Sequence, residues 1–229
     1  MASLSIIVPV LNEAPVIAET LAALGPLRMR GVEVIIADGG SEDDTLGRVA
    51  TLVDGAVVAP RGRGAQMNAG AQAAHGEVLL FLHADTRLPA DADQRVRDGL
   101  TRSGRAWGRF DVAIEGTSPF LRLVAALMNW RSRLTGIATG DQAIFVTREA
   151  FTAAGGFPDI PLMEDIVLSR RLKRLSRPMN LAARVVTSGR RWEKNGVLRT
   201  VLLMWRLRLA FFLGASPATL ARSYGYAAR

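Results

Sequence analysis

The chain has 229 residues, 49% of them hydrophobic, and a formal net charge of +8. That length suits one large domain or two small ones, and that apolar content supports a sizeable core and argues against global disorder. There is no cysteine, which excludes disulfides, thiolate metal sites and cysteine nucleophiles and fits a reducing compartment.

The first hundred residues alternate β-rich runs with helical patterns. Residues 5–10 (SIIVPV) read as a strand, and Pro15 suits the first turn of the helix that follows. The opening stretch lacks the basic n-region of a signal peptide and soon meets Pro9, Asn12 and Glu13, so it reads as the first strand of a cytoplasmic protein. Residues 32–37 (VEVIIA) lead through Asp38-Gly39-Gly40-Ser41 into a helix from about Asp43. Residues 56–59 (AVVA) lead through Pro60-Arg61-Gly62-Arg63-Gly64 into a helix from about Ala65. Residues 78–82 (VLLFL) lead into His83-Ala84-Asp85 and a helix from about Asp91. Four strand–loop–helix units predict a parallel sheet with helices on both faces, and near-continuous apolar strands agree with it. Ligands in such sheets sit at the carboxyl ends of strands. Asn12, Glu13, Asp38, Arg61, Arg63, His83 and Asp85 collect at those ends.

The second half is less regular. Residues 106–115 read as a strand, 119–134 as a helix, 142–147 as a strand, 164–175 as a basic amphipathic helix, 181–186 as a last strand and 197–213 as a long apolar helix. Charge divides the chain too. Residues 1–100 carry 8 Arg against 13 acidic residues, and residues 101–229 carry 21 basic against 8 acidic. The basic part points to an anionic partner (membrane headgroups, nucleic acid or a phosphorylated ligand) or to a solvated basic face. The 197–213 segment does not read as a membrane span: Arg199, Arg206 and Arg208 lie inside it, each costing about 2.5–3.5 kcal/mol at a bilayer centre. It either lies in the membrane interface, with Trp205, Phe211 and Phe212 at the headgroup boundary and arginines on phosphates, or packs as a core or dimer helix.

Several strand ends and loops carry candidate chemistry. Asp38 can accept from a base NH or a ribose hydroxyl, or it can simply cap the next helix. Arg61 and Arg63, in a glycine-bearing loop before a helix, can cradle a diphosphate, or form a solvated basic turn; no Gly-Lys-Ser/Thr follows, so this is not a Walker A loop. Asp85 with substrate phosphates is a usual way to hold Mg²⁺ or Mn²⁺. His83, on the same side of the strand by the period of two, is either a second ligand or a hydrogen-bonding structural residue. Glu164 and Asp165 at a helix start either complement the helix dipole or supply a general base. Gly140-Asp141-Gln142 places a further acid before a strand.

Taken in order, SIIVPVLNE at 5–13, IIADGGSEDDT at 35–45, GEVLLFLHADT at 76–86 and GGFPDIPLMEDIVLSRRL at 155–172 resemble the glycosyltransferase family two enzymes with the GT-A fold. GDQAIFV before the last motif is similar to a small bacterial subfamily associated with arsenosugar biosynthesis. The resemblance covers roughly residues 4–190. It implies a mostly parallel α/β sheet flanked by helices, with a catalytic domain over 1–190, divided into a nucleotide-binding half at 1–104 and an acceptor half at 105–190. A basic, apolar helical segment at 191–229 follows.

The resemblance also implies roles. Pro9, Glu13 and Asp38 lie at the nucleotide; Arg61 and Arg63, read above from their loop as a diphosphate cradle, fall beside it. Asp85, with His83 beside it, matches the end of the metal-binding DXD motif and implies Mn²⁺ or Mg²⁺. Asp165, with Glu164, matches the presumed base. Gly140, Asp141 and Gln142 line the donor sugar or acceptor. The DXD motif reads His83-Ala84-Asp85 here, one carboxylate short. The implied reaction is inverting transfer from a UDP- or GDP-type sugar to an acceptor hydroxyl; beside it, the N-terminal residues and the basic, apolar C-terminal segment suit a lipid or small-molecule acceptor and a cytoplasmic enzyme in peripheral contact with an anionic membrane, and no nucleic-acid partner is expected.

Three other readings stay open. One is a nucleotidyltransferase activating a sugar phosphate, although Leu11-Asn12-Glu13-Ala14-Pro15 lacks the Gly-rich basic loop such enzymes carry after the first strand. Another is a non-catalytic basic protein on a membrane surface or nucleic acid. The third is a glycosyltransferase-like scaffold without activity.

Overall fold

The computed structural model describes residues 2–225; Met1 and residues 226–229, the outer ends of the expected 1–104 and 191–229 segments, lie outside the described residues. The elements run β1 (Leu4–Val10), α1 (Ile17–Arg28), β2 (Glu33–Asp38), α2 (Thr45–Val49), β3 (Gly55–Val58), α3 (Arg63–Ala73) and β4 (Val78–Phe81). They continue with β5 (Thr86–Arg87), α4 (Ala92–Ser103), β6 (Trp107–Glu115), α5 (Phe120–Thr135), a 3-10 turn (Gly140–Gln142) and β7 (Phe145–Thr147). The chain then forms α6 (Arg148–Ala153), α7 (Glu164–Leu175), β8 (Met179–Ser188), α8 (Arg190–Asn195), α9 (Val197–Phe212) and α10 (Pro217–Tyr224).

One eight-stranded sheet has the order β3-β2-β1-β4-β7-β6-β8-β5. β3, β2, β1 and β4 are mutually parallel, as the repeated strand–helix units predict. β7 runs antiparallel between β4 and β6, and β6 pairs in parallel with β8. Side chains of β1 alternate between the two faces: Ile6, Val8 and Val10 pack with Leu21 and Leu24 of α1, while Ile7 packs with Met67 and Ala71 of α3. Gly70 lets α3 approach that closely, because a Cβ there would collide with the Ile7 methyl. A third apolar cluster joins Ile137, Met163, Ile166, Leu207 and Leu220, fixing α9 and α10 against the start of α7.

Boundaries depart from expectation in three instructive places. β4 stops at Phe81, because Thr86 N–H donates to the His83 carbonyl (3.0 Å) and closes a turn. The period of two therefore does not govern residues 82–85, and His83 and Asp85 leave from a turn rather than from one strand side. The strand expected over 142–147 keeps only Phe145–Thr147, its start being taken by the 3-10 turn. The helix expected from Asp43 is a five-residue turn, because the Asp43 carboxylate is engaged by Ala14 N–H and Thr45.

Candidate active site

β1, β2 and β4 deliver their carboxyl ends to one side of the sheet. The β1–β4 pairing ends at Ile7↔Phe81, before Pro9, which has no N–H to extend it. Beyond β1, Asn12 adopts a left-handed backbone (φ 55), and its N–H donates to Ser41 Oγ while its side chain accepts from Glu42 N–H. Glu13 N–H donates to Thr45 Oγ1 (2.9 Å). Asp38 is buried, and its Oδ2 accepts from Gly40 and Ser41 N–H, both at 2.9 Å. This is the loop-capping arrangement, and it fixes the β1 and β2 loops together. Gln66 donates from below to the carbonyls of Val10 and Ala37.

Asp85 is half-buried at the far end of β4, where Ser188 N–H of β8 donates to its carbonyl. Its Oδ1 is engaged loosely by Thr86 Oγ1 (3.4 Å). Burial, and then the charge of Asp85, push the Glu13 carboxyl above its ordinary value, with Arg190 and Arg63 opposing. Those charges place Glu13, Asp85, Arg63 and Arg190 around one region. Arg61 lies further out, exposed, with Nη2 3.8 Å from Glu42.

A cleft beside this region is lined by Met67, Phe81, His83, Gly140, Ile144, Phe157, Glu164 and Asp165. Asn68 brackets Phe157, accepting from its N–H and donating to its carbonyl, so the 155–158 loop is tied to α3. His83 Nδ1 lies 3.4 Å from Asp141 Oδ1, and its Nε2 side rests against Gly140, where a Cβ would collide. Burial works against the Asp141 charge, but His83, Arg63 and Arg208 outweigh it and hold the carboxyl below its ordinary value.

Met163 enters α7 through a left-handed conformation (φ 73), turning Glu164 and Asp165 inward. Asp165 Oδ2 accepts from Gly140 N–H (3.0 Å). Glu164 is 7% exposed, and burial with the adjacent Asp165 charge pushes it up to about 7. Gln142 is fully buried, its Oε1 accepting from Thr139 N–H (3.2 Å), so it holds the turn that presents Gly140 and Asp141. Among the described residues no three His, Asp or Glu cluster closely enough to hold a metal alone.

Residues 5–151 match the model of Glycosyl transferase family 2. The chain belongs to that family. Its fold is similar to that of Staphylococcus aureus TarS 1–349 in complex with UDP-GlcNAc, at TM-score 0.66 and 17% identity over 81% of this chain and 58% of that one. It is also similar to the mannosyltransferase PcManGT of Pyrobaculum calidifontis in complex with GDP-Man and Mn²⁺, at TM-score 0.65 and 21% identity over 91% and 61%. A third likeness is to glucosyl-3-phosphoglycerate synthase of Mycobacterium tuberculosis with Mn²⁺, UDP-Glc and phosphoglyceric acid, at TM-score 0.61 and 20% identity over 81% and 71%. The chain thus spans about three fifths of the TarS fragment and of PcManGT. No curated protein matches it in sequence.

Three basic residues near this candidate site were not assigned to it by the sequence. Arg190 starts α8, and its charge reaches Glu13. Arg131 of α5 and Arg208 of α9 reach Asp165 and Asp141 respectively. For Arg131 and Arg208, arginines inside otherwise apolar helices were the available signal. Only packing reveals their direction.

Proposed function

We propose that this family 2 chain is an inverting glycosyltransferase, moving a sugar from a UDP- or GDP-type nucleoside-diphosphate sugar to an acceptor oxygen with Mn²⁺ or Mg²⁺ as cofactor. The observation that carries this reading is one charged region in which the strand-end groups Glu13, Asp85 and Arg63 adjoin the acids Asp141, Glu164 and Asp165 around the cleft, with Arg63 acting on Glu13, Asp141 and Glu164 alike. On this reading residues 1–104 supply the nucleotide half and residues 105–190 the acceptor half. Pro9, Glu13 and Asp38 border the nucleoside. Arg63 and Arg190 put positive charge beside the diphosphate, with Arg61 at its outer edge.

Asp85 fits a divalent cation: it is half-buried, loosely engaged, and a hard cation bound by one carboxylate completes its shell with phosphate oxygens and water. When bound, such a cation neutralises charge developing on the diphosphate. His83 is the second candidate ligand: with Nδ1 beside Asp141, Nε2 is the ring nitrogen that would hold a cation. Asp165 is the base. Its Oδ2 is oriented by Gly140 N–H, and Glu164, which holds its proton up to about pH 7, is a donor rather than an acceptor there. The acceptor oxygen gives its proton to Asp165 and attacks the anomeric carbon opposite the diphosphate, so configuration inverts without a covalent enzyme intermediate.

Contact with an anionic membrane is part of the proposal. Phe120, Leu123, Leu127, Trp130 and Leu134 form an exposed helical stripe on α5, and Leu198, Leu202, Trp205, Leu209 and Phe212 form another on α9. Exposed Arg122, Arg133, Arg199 and Arg206 accompany them, the composition that suits an interfacial helix. No helix of the described residues is long and apolar enough to cross a membrane.

The test is Asp165→Asn. The variant is expected to retain nucleotide binding while transfer falls roughly 10²–10⁴-fold, the usual contribution of a general base. Near-normal turnover in this variant overturns the base assignment. Retention of anomeric configuration in the wild-type product, read by NMR, overturns inversion.

A further inference from the structure

Arg131 and Arg208 are an unusual pair. Arg131 Nε and Nη2 and Arg208 Nε are buried without a hydrogen-bond partner among the described residues. Arg131 Nη1 has only a long contact, 3.4 Å, to the Ile137 carbonyl. A buried donor left unmade costs about 1–3 kcal/mol, and more when charged. Arg109 also has a buried Nε without a partner, but its charge is met directly. Asp111 accepts from Arg109 and from Arg133, so that carboxylate is already engaged by two guanidinium groups. Arg131 and Arg208 form no ion pair of this kind among the described residues.

Their position is fixed by packing. Leu207, the residue before Arg208, lies in one apolar cluster with Ile137, whose carbonyl Arg131 touches, and with Met163, the residue before Glu164 and Asp165. α5 and α9 also contact each other. The two guanidinium groups therefore stand beside the base end of the cleft. Their mutual influence agrees: burial and then the Arg208 charge lower Arg131 to about 10, and Asp165 opposes them. Asp165 and Asp141 lie within electrostatic reach of the pair, yet neither accepts a hydrogen bond from it among the described residues, so two partly buried like charges keep donors open to a further anion.

We propose that Arg131 and Arg208 form a phosphate subsite for the acceptor, so that the substrate receiving the sugar carries a phosphate group. The inference rests on the glycosyltransferase reading of the same cleft. Two planar guanidinium forks suit a tetrahedral dianion, whose oxygens accept from both at once. With the phosphate so held, the acceptor's nucleophilic oxygen is brought to Asp165. The acceptor O–H proton passes to that carboxylate, the new bond forms from this oxygen to the anomeric carbon, and the bond to the diphosphate breaks with its electron pair leaving on the nucleoside diphosphate. The phosphate can belong to a lipid headgroup or to a soluble phosphomonoester, and both present the same group to the same two side chains.

The experiment compares wild type with the Arg131→Gln/Arg208→Gln double variant, each saturated with UDP or GDP and Mn²⁺ so that the donor phosphate site is filled. The nucleotide-induced thermal shift, recorded first, shows that each protein is folded and donor-competent; its absence in the wild type would sink the glycosyltransferase reading itself. Glycerol 3-phosphate is then titrated against glycerol, and vesicles of phosphatidic acid in phosphatidylcholine against phosphatidylcholine alone. The expected result is binding of at least one phosphate probe over its neutral control, weakened at least tenfold in the double variant. A response to glycerol 3-phosphate identifies a soluble acceptor class, and a response to phosphatidic acid alone identifies a lipid. No phosphate-dependent response in a nucleotide-competent wild type, or equal responses in both proteins, overturns the subsite. The single variants give a readout that a merely structural role would not: without phosphate they melt at or above the wild-type temperature, because a buried guanidinium with unmade hydrogen bonds and a like charge beside it has been removed.

Discussion

Replacing Glu164 by Gln isolates the cost of holding a carboxylate beside Asp165 in the cleft. Burial and the Asp165 charge move this group from 4.5 to about 7, against the charges of Arg63 and His83. The folded chain therefore keeps a proton that the unfolded chain releases between those two values. Where the folded state binds more protons, stability falls as pH rises. The loss begins near pH 4.5, is complete just above pH 7, and is flat beyond. At about 1.4 kcal/mol per tenfold change in proton affinity, the ionised carboxylate costs the fold roughly 3 kcal/mol at pH 8.5 and under about 1 kcal/mol at pH 5. Gln has the size of Glu and no charge to desolvate. In a chain of this length 1 kcal/mol moves Tm by about 2–4 °C, so Glu164→Gln should melt roughly 6–12 °C above wild type at pH 8.5 and within a few degrees of it at pH 5. Thermal melts or urea titrations across that range measure it. Parallel stability–pH curves for the two proteins, or a variant less stable at pH 8.5, would refute the buried-acid account.

Two further outcomes follow from the same geometry. Gly140→Ala places a methyl against the His83 ring and strains the N–H contact to Asp165; we expect a loss of about 1–3 kcal/mol in stability and a fall in kcat larger than any change in nucleotide affinity, and unchanged kcat would show that this contact does not set the base. Trp130→Ser with Trp205→Ser removes the central aromatics of the two exposed stripes; flotation with anionic vesicles should drop severalfold, and undiminished flotation, or a wild-type dimer that buries these faces in solution, would remove the membrane from the account.

Much of this architecture can be read directly from the residues. Parallel strands buried on both faces leave continuous apolar runs, so β1, β2 and β4 stand out, and α7 begins and ends where its amphipathic pattern does. The acids at the strand ends were also legible, because helices and strands force loop polar groups to collect there. What was not legible depends on distant partners. β5 is two residues long and exists through its pairing with Thr187 and Val186 of β8. His83 looked like a companion of Asp85 while the strand was imagined to continue; the turn closed by Thr86 instead sets it beside Asp141 and Gly140. Gln142 looked like a lining residue, and its buried side chain holds the 3-10 turn. Arg131 and Arg208 belong to separate helices whose apolar stripes dominate their patterns, and the packing around Leu207 and Ile137 brings them within reach of Asp165 and Asp141.

The central claim is a sugar-nucleotide donor held at Asp85, and calorimetry of wild type and Asp85→Ala with UDP- and GDP-sugars, each with and without Mn²⁺, tests it most directly. The account predicts that one nucleotide class binds the wild type with Mn²⁺ at least tenfold more tightly than without it, and that Asp85→Ala abolishes the difference. A wild type that binds neither class, or an Asp85→Ala variant with undiminished metal-dependent affinity, would contradict it.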